Sequence, residues 1–388
     1  MKKIYLDYAA TAPCDPEVIK AMEPYFFEKF GNASSIHAYG QEAKKALEDS
    51  RSITAEFLGA ISPQEIVFTS GGTESDNNVI FGVADALAGK GNHIITSAIE
   101  HHAISEPCKA LEKRGFQVTY VGVDKDGLVS PDEVKQAITD KTILISIMHA
   151  NNEIGSIQPI SQIGKIAKEK GIYFHTDAVQ TVGHIPVNVN DLNVDLLSLS
   201  AHKFYGPKGA GALYIRKGTR VSRFLYGGDQ ESNRRASTTN VSGIVGLAKA
   251  IELCSKSMDK EAKYLISLRD KMIKKIPEVI PEVRLNGHPT QRLPNNVNFS
   301  IKYIEGESML LSLDMLGLGL STGSACTSSS LEPSHVLLAI GLDHATAHGS
   351  LRISMGRWTK EQAIEFLLEN LPKVVEKLRA MSPLYEKK

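Results

Sequence analysis

Between about residues 65 and 215, short apolar, β-branched runs at 65–69, 93–99, 117–121, 142–148, 172–175, 195–199 and 211–215 alternate with stretches of helical length at 73–88, 103–114, 131–138 and 160–170. That alternation predicts βαβ units and a mostly parallel sheet covered by helices. An earlier stretch repeats Ala43, Ala46, Leu47, Ser50, Ile53, Thr54, Phe57 and Leu58 at steps of three and four and closes on Gly59, which predicts a helix with one face on the sheet. After about 258 the texture changes, with strand candidates at 282–286, 296–301 and 351–355 between longer helical patterns. The last pattern sets Ile364, Leu367, Leu368, Leu371, Val375 and Leu378 on one face, and Pro372 inside it predicts a kink or a break. The expected division is a large α/β unit over 15–258 and a smaller α+β unit made of 1–14 and 259–388.

Length and composition narrow the class without choosing a function. A chain of 388 residues with 42% hydrophobic and 23% charged residues is an ordinary globular protein of more than one core. Its 44 basic and 44 acidic residues cancel, so no global charge attracts nucleic acid or an anionic membrane. No run approaches the roughly eighteen apolar residues of a membrane span, and Asp7 arrives before any apolar leader could form, so a cytoplasmic location is expected. Cys14, Cys108, Cys254 and Cys326 are too few and too scattered for a disulfide framework or a structural zinc site.

Three strand ends carry the candidate chemistry. Phe68-Thr69-Ser70-Gly71-Gly72-Thr73-Glu74 runs from a strand through a double glycine into a helix, a candidate phosphate cradle at Gly72 and Thr73 and otherwise an ordinary βα turn. Phe174-His175-Thr176-Asp177-Ala178-Val179-Gln180 places an acid at the carboxyl end of a strand, where open α/β sheets bind ligands; Asp177 reads either as a helix N-cap or as the carboxylate that keeps a pyridinium nitrogen protonated. Ser200-Ala201-His202-Lys203 follows another buried strand and sets a lysine where it could form a Schiff base with an aldehyde cofactor. Each signal is weak alone; their order on successive strand ends is the argument.

At this point the chain resembles the pyridoxal-phosphate cysteine desulfurases of the class V aminotransferase superfamily, NifS/IscS type. The resemblance runs through Tyr5-Leu6-Asp7-Tyr8-Ala9-Ala10-Thr11, Gly31-Asn32-Ala33-Ser34-Ser35-Ile36-His37, Thr73-Glu74-Ser75, Glu100-His101, Asn151-Asn152-Glu153-Ile154-Gly155, Ser200-Ala201-His202-Lys203 and Ser324-Ala325-Cys326-Thr327-Ser328. It implies an α/β fold of the PLP-dependent transferase type (aspartate aminotransferase-like, fold type I), a homodimer, and pyridoxal 5'-phosphate bound at Lys203. It further implies Asp177 on the ring nitrogen, Gln180 on the ring oxygen, His101 stacked on the ring, and Gly72, Thr73, Ser200 and His202 on the phosphate, with Thr238 arriving from the other subunit. Asn152 is expected beside ring and substrate, and Asn32 and Arg352 on the carboxylate of L-cysteine. Bland alternatives stand beside these roles: His101 and His102 as a helix-start pair, Arg352 in a structural ion pair, Asn152 bracing a turn.

Cys326 lies in the small polar run Ser321-Thr322-Gly323-Ser324-Ala325-Cys326-Thr327-Ser328, whereas Cys108 and Cys254 fall in helical patterns and read as packing residues. The resemblance implies that Cys326 takes sulfur from cysteine as a persulfide, releasing alanine. It then delivers the sulfur to an iron–sulfur scaffold or another acceptor, including a tRNA-thiolation relay, without direct binding of nucleic acid or membrane. No metal of the chain's own is expected; whether Cys326 ever ligates a cluster shared with a scaffold stays open. The chain departs from the family at Asp229, where Gly227-Gly228 is usually followed by a third glycine, and at Arg235-Ala236-Ser237-Thr238, where Arg-Ser-Gly-Thr is common. Competing readings are another pyridoxal-phosphate reaction on a small amino acid, such as transamination or selenocysteine cleavage, and a scaffold that has lost its chemistry.

Overall fold

A computed structural model describes residues 3–322 and 332–385; the expected sulfur carrier Cys326 lies outside the described residues. After a short β1 (Ile4–Tyr5), the central sheet takes β2 (Ile66–Thr69), β3 (His93–Ser97), β4 (Gln117–Val121), β5 (Thr142–Ser146), β6 (Tyr173–Asp177), β7 (Leu196–Ser200) and β8 (Gly211–Ile215). Their spatial order is β2-β8-β7-β6-β5-β3-β4, and β8 runs antiparallel to both neighbours while the remaining pairs are parallel. The carboxyl ends of β2, β6 and β7, which carry the three candidate motifs, therefore emerge at one edge of the sheet.

Both faces of this sheet are covered, which is why its strands read as continuous apolar runs. Successive side chains alternate between faces: Ile66 and Phe68 enter one core while Val67 enters the other, and Leu197 and Leu199 divide from Leu196 in the same way. Helix Ala38–Leu58 packs on one face; Gly59 closes it at φ 71°, a left-handed value that a β-carbon would strain.

A separate core gathers around an antiparallel sheet of β9 (Val283–Asn286), β10 (Asn296–Ile301) and β12 (Ser350–Ser354), with β11 (Leu318–Gly319) pairing β1 in parallel. The textural change near 258 falls inside one helix, Val241–Val279, whose first half buries Ile244, Leu247, Ile251 and Cys254 in the sheet core and whose second half buries Leu265, Leu268, Met272 and Ile276 in the other. Sequence reading placed a change of neighbours there, and the helix itself continues.

Pro372 does not break the terminal helix, which runs unbroken over Glu361–Met381. The buried face of Ile364, Leu367, Leu371, Val374 and Val375 explains this: at roughly 1.5–3 kcal/mol per large side chain it outweighs the ~3 kcal/mol that an interior proline costs.

Candidate active site

The phosphate-cradle motif folds as expected: β2 ends at Thr69 and helix Gly72–Ala86 begins almost at once, with its first N–H groups opening onto the strand edge. A β-carbon on Gly72 would stand 2.7 Å from Val179 Cγ2, so glycine is required for the loop to approach the turn after β6 this closely. Asp177 is the last residue of β6, and its Oδ1 accepts the Val179 N–H at 2.9 Å. No helix follows, so the N-cap alternative for Asp177 does not hold; the carboxylate braces a turn at the mouth of a cavity. Ser200 closes β7, and the single turn Ala201–Lys203 swings the lysine back over the same edge.

These elements enclose a cavity of about 280 Å³ that contains Gly72, Thr73, His101, Asn152, Asp177, Gln180, Ser200, His202, Lys203 and Arg352 among its lining residues. Ten of the predicted residues are thus brought together by the carboxyl ends of five strands of the central sheet and the segments that follow them, with Arg352 from β12 of the smaller sheet. Lys203 Nζ donates to Ala9 O at 2.7 Å and Ala10 O at 2.8 Å, and Gln180 Nε2 donates to Ala9 O at 3.0 Å, so the N-terminal segment forms one wall.

His101, not His102, lines this cavity, and the helix-start alternative is also true of it: its Nδ1 caps helix His102–Glu112 by accepting the Ala103 N–H at 3.1 Å. That bond leaves Nε2 as the protonated nitrogen of the neutral ring. Burial, with Lys203 and the histidines His102 and His335 nearby, pushes the His101 pKa down to about 4. His101 therefore faces the cavity uncharged at neutral pH. His202 is likewise pushed down to about 4, by burial first and then Lys203 and Lys208, and its Nδ1 meets Thr11 Oγ1 at 3.0 Å. Arg352 makes the structural ion pair, its Nη2 meeting Asp7 Oδ1 at 2.9 Å while its Nη1 donates to Asn152 O at 3.2 Å, and it also lines the cavity.

Two predicted residues stand apart. Asn32 and Thr238 are exposed and outside the cavity lining; Asn32 Oδ1 instead accepts the Ser34 N–H at 2.9 Å. Sequence reasoning also missed residues that the fold supplies. Asp76 lines the cavity one helical turn beyond Gly72, a spacing of four that was legible, while Met148 enters only because the loop after β5 passes the same edge. Burial first, and then the neighbouring Asp177 carboxylate, raises the Asp76 pKa. Asp177 is raised by burial against the opposing Val179 N–H and Lys203 ammonium.

Glu100 sits behind His101, wholly buried, with Oε1 accepting from Ser97 Oγ at 2.5 Å and Met148 N at 3.0 Å. Burial pushes it up to about 8 against those bonds. Between its unfolded value near 4.5 and that folded value, the folded chain holds a proton that the unfolded chain has released, so this group removes stability as pH rises. Glu100→Gln should leave stability near pH 5 almost unchanged and raise it by about 1 kcal/mol or more at pH 8. Denaturant midpoints at the two pH values measure this, and an equal shift at both would contradict the assignment.

Residues 4–367 match the family described as aminotransferase class-V. The chain belongs to that family. Among class-V aminotransferase relatives, it is 59% identical over 382 residues to the cysteine desulfurase IscS of Dictyoglomus turgidum, covering 98% of this chain and 97% of the relative. Among solved structures, a NifS-like protein superposes with a TM-score of 0.91 at 37% identity, covering 97% of this chain and 100% of the other. A structure described as SspA in complex with cysteine superposes at 0.82, also 37% identical, over 92% of this chain and 100% of that one. The fold is that of the PLP-dependent transferases.

The cavity suits pyridoxal phosphate by its donor chemistry. Gly72, Thr73, Ser200 and His202 converge where a helix N-terminus favours a phosphate, and the close approach at Gly72 leaves backbone in place of a side chain. Asp177 and Lys203 line the same cavity as carboxylate and amine. Among the described residues no group of three or more His, Cys, Asp or Glu is arranged to hold a metal ion.

Proposed function

We propose that the chain is a cysteine desulfurase that converts L-cysteine to L-alanine, holds the sulfur as a persulfide on Cys326, and passes it to an acceptor protein, an iron–sulfur scaffold or a tRNA-thiolation relay. The observation that carries the reading is the convergence of Lys203, Asp177 and the Gly72–Thr73 cradle on one cavity that Arg352 and Asn152 also line. Pyridoxal phosphate, when bound, supplies an aldehyde for the substrate amine and a conjugated ring that accepts the electrons released at its Cα.

Lys203 would hold the cofactor through Nζ, and either that amine, once released, or the neighbouring His101 would be the base for the substrate α-proton. Asp177 keeps a proton on the ring nitrogen, from a buried position where its charge is little screened. Neutral His101 would stack on the ring, with Nε2–H as a donor; Gln180 would contact the ring oxygen, and Asn152 would stand beside ring and substrate. Arg352, which lines the cavity and is already oriented by Asp7, would take the substrate carboxylate, and Asn32, which stands outside the lining of its own chain's cavity, would have to join it from elsewhere in the assembly. The Cys326 thiolate attacks the substrate sulfur, so one S–S bond forms as the C–S bond breaks and alanine leaves.

Thr238 is exposed on its own chain, which supports a homodimer in which it completes the phosphate site of the partner. We divide the chain into a cofactor-binding unit over 15–258 and a smaller unit of 1–14 and 259–388 that carries the Cys326 loop; the separate core of the later residues supports the boundary near 258, while Tyr8 and Ala12 of the N-terminal segment pack in the core of the larger unit. We also read the protein as cytoplasmic; no described helix is long and apolar enough to cross a membrane.

The test is to measure alanine and sulfide from L-cysteine in the presence of a reductant, beside the absorption spectrum of the purified protein. Both products with a cofactor band are expected. A band without sulfide would favour a different reaction on an amino acid, and neither signal would favour an inactive scaffold.

A further inference from the structure

Glu74 follows Thr73 in the phosphate cradle, and its placement carries an electrostatic conflict. Its Oε2 accepts the Ser70 N–H at 2.8 Å, so the carboxylate reaches back across the Ser70–Gly71–Gly72 turn and braces it. Glu74 is not in the cavity lining, but a phosphate seated at Gly72 and Thr73 would lie one residue from this largely buried carboxylate of the same sign, in a setting that screens little. Arg235 resolves the conflict. Its Nε donates to Glu74 Oε1 at 2.7 Å and its Nη2 to Glu74 Oε2 at 3.0 Å, a two-pronged pair whose side chains are 18% and 10% exposed. Burial pushes the Glu74 carboxyl up, yet Arg235 and Ser70 together outweigh it and hold the group below its ordinary value.

Arg235 is itself held in place. The segment that carries it passes through Glu231, Ser232 and Asn233 at φ 50°, 54° and 64°, left-handed values that non-glycine residues adopt only when other contacts impose them. Those contacts come from helix Ala38–Leu58 and from the strand that leads into the cradle: Glu231 receives both Nη1 and Nη2 of Arg51, at 2.7 and 2.8 Å, and its Oε2 also accepts the Phe68 N–H of β2 at 2.9 Å. The segment is thus fastened to β2 two residues before Ser70.

We propose that Arg235 is a positioning residue for cofactor binding, acting through Glu74: it cancels the charge of the carboxylate that braces the glycine turn, so that the turn stays formed and a phosphate can sit beside it. The inference rests on the pyridoxal-phosphate reading of the cavity, and it assigns opposite signs to the two partners of one ion pair. Removing Arg235 alone leaves the carboxylate's charge uncancelled near the phosphate; removing the charge of Glu74 alone takes away the repulsion.

The experiment strips the cofactor and titrates the apo protein with pyridoxal 5'-phosphate and, separately, with pyridoxal, following the absorbance of the Lys203-bound compound. Arg235→Gln should weaken pyridoxal phosphate about tenfold while leaving pyridoxal unchanged, Glu74→Gln should bind the phosphate compound at least as tightly as wild type, and the double variant should recover most of the loss. A merely structural pair would weaken both compounds alike in both single variants. That result, or a double variant as weak as Arg235→Gln, overturns the proposal. Should Arg235→Gln fail to give a cooperative melt, Glu74→Gln carries the test alone, since weakened phosphate binding there overturns it equally. If wild type takes up neither compound, the cofactor reading falls instead.

Discussion

Cys326→Ser is expected to abolish alanine and sulfide release from L-cysteine while the purified variant keeps the cofactor band and its melting temperature. A serine hydroxyl is far less nucleophilic than a thiolate and cannot carry sulfur as a persulfide, so the loss should reach the detection limit. The other cysteines are not substitutes. Cys108 and Cys254 are buried and pushed up to about 12, chiefly by burial, and Cys14 is raised by burial as well, so none supplies thiolate readily near neutral pH. Changing Cys108 or Cys254 should therefore reduce stability through packing and leave sulfur transfer in place. Normal turnover by Cys326→Ser would remove that residue from the mechanism.

Asp177→Asn should have the next largest effect. Asparagine is nearly isosteric and its side-chain oxygen can still accept the Val179 N–H that Asp177 Oδ1 accepts at 2.9 Å, so the turn after β6 should keep its shape. What disappears is the negative charge that holds a proton on the ring nitrogen. A loss on the order of 10²- to 10³-fold in kcat is expected, the scale of removing one preorganised electrostatic partner from a site that excludes water. KM for L-cysteine should move little, because the proposed carboxylate partners are Arg352 and Asn32, not Asp177. Stopped-flow and steady-state alanine assays separate the two parameters, and a change confined to KM would contradict the role given to Asp177.

The central sheet was legible because its strands are buried on both faces, which makes each a short unbroken apolar run, and because the helices between them close on recognisable caps such as Gly59. The chemistry of three strand ends was legible for a related reason: glycines, an acid and a lysine are conspicuous directly after such runs. The break that Pro372 suggested is absent: the local backbone cost is written in the sequence, while the burial that offsets it is not. Glu100 was noticed only as part of a motif, since nothing local tells that its carboxyl lies fully buried behind His101. Asp76 illustrates the same limit from the other side. Its spacing from Gly72 was visible, but that this face of the helix turns toward Asp177 depends on how the helix docks on the sheet.

By itself, then, the sequence determined the order of strands and helices, the residue types at the carboxyl ends of β2, β6 and β7, and the family to which they belong. Those follow from periodicity and local chemistry, which are properties of neighbours along the chain. Tertiary structure alone decided that Ala9 and Ala10 meet Lys203, that Asp7 orients Arg352 across 345 positions, and that Arg235 reaches Glu74 across 161. Contacts at such separations depend on how sheets and helices pack, and packing is set by the summed burial of many side chains, which no single stretch of sequence records.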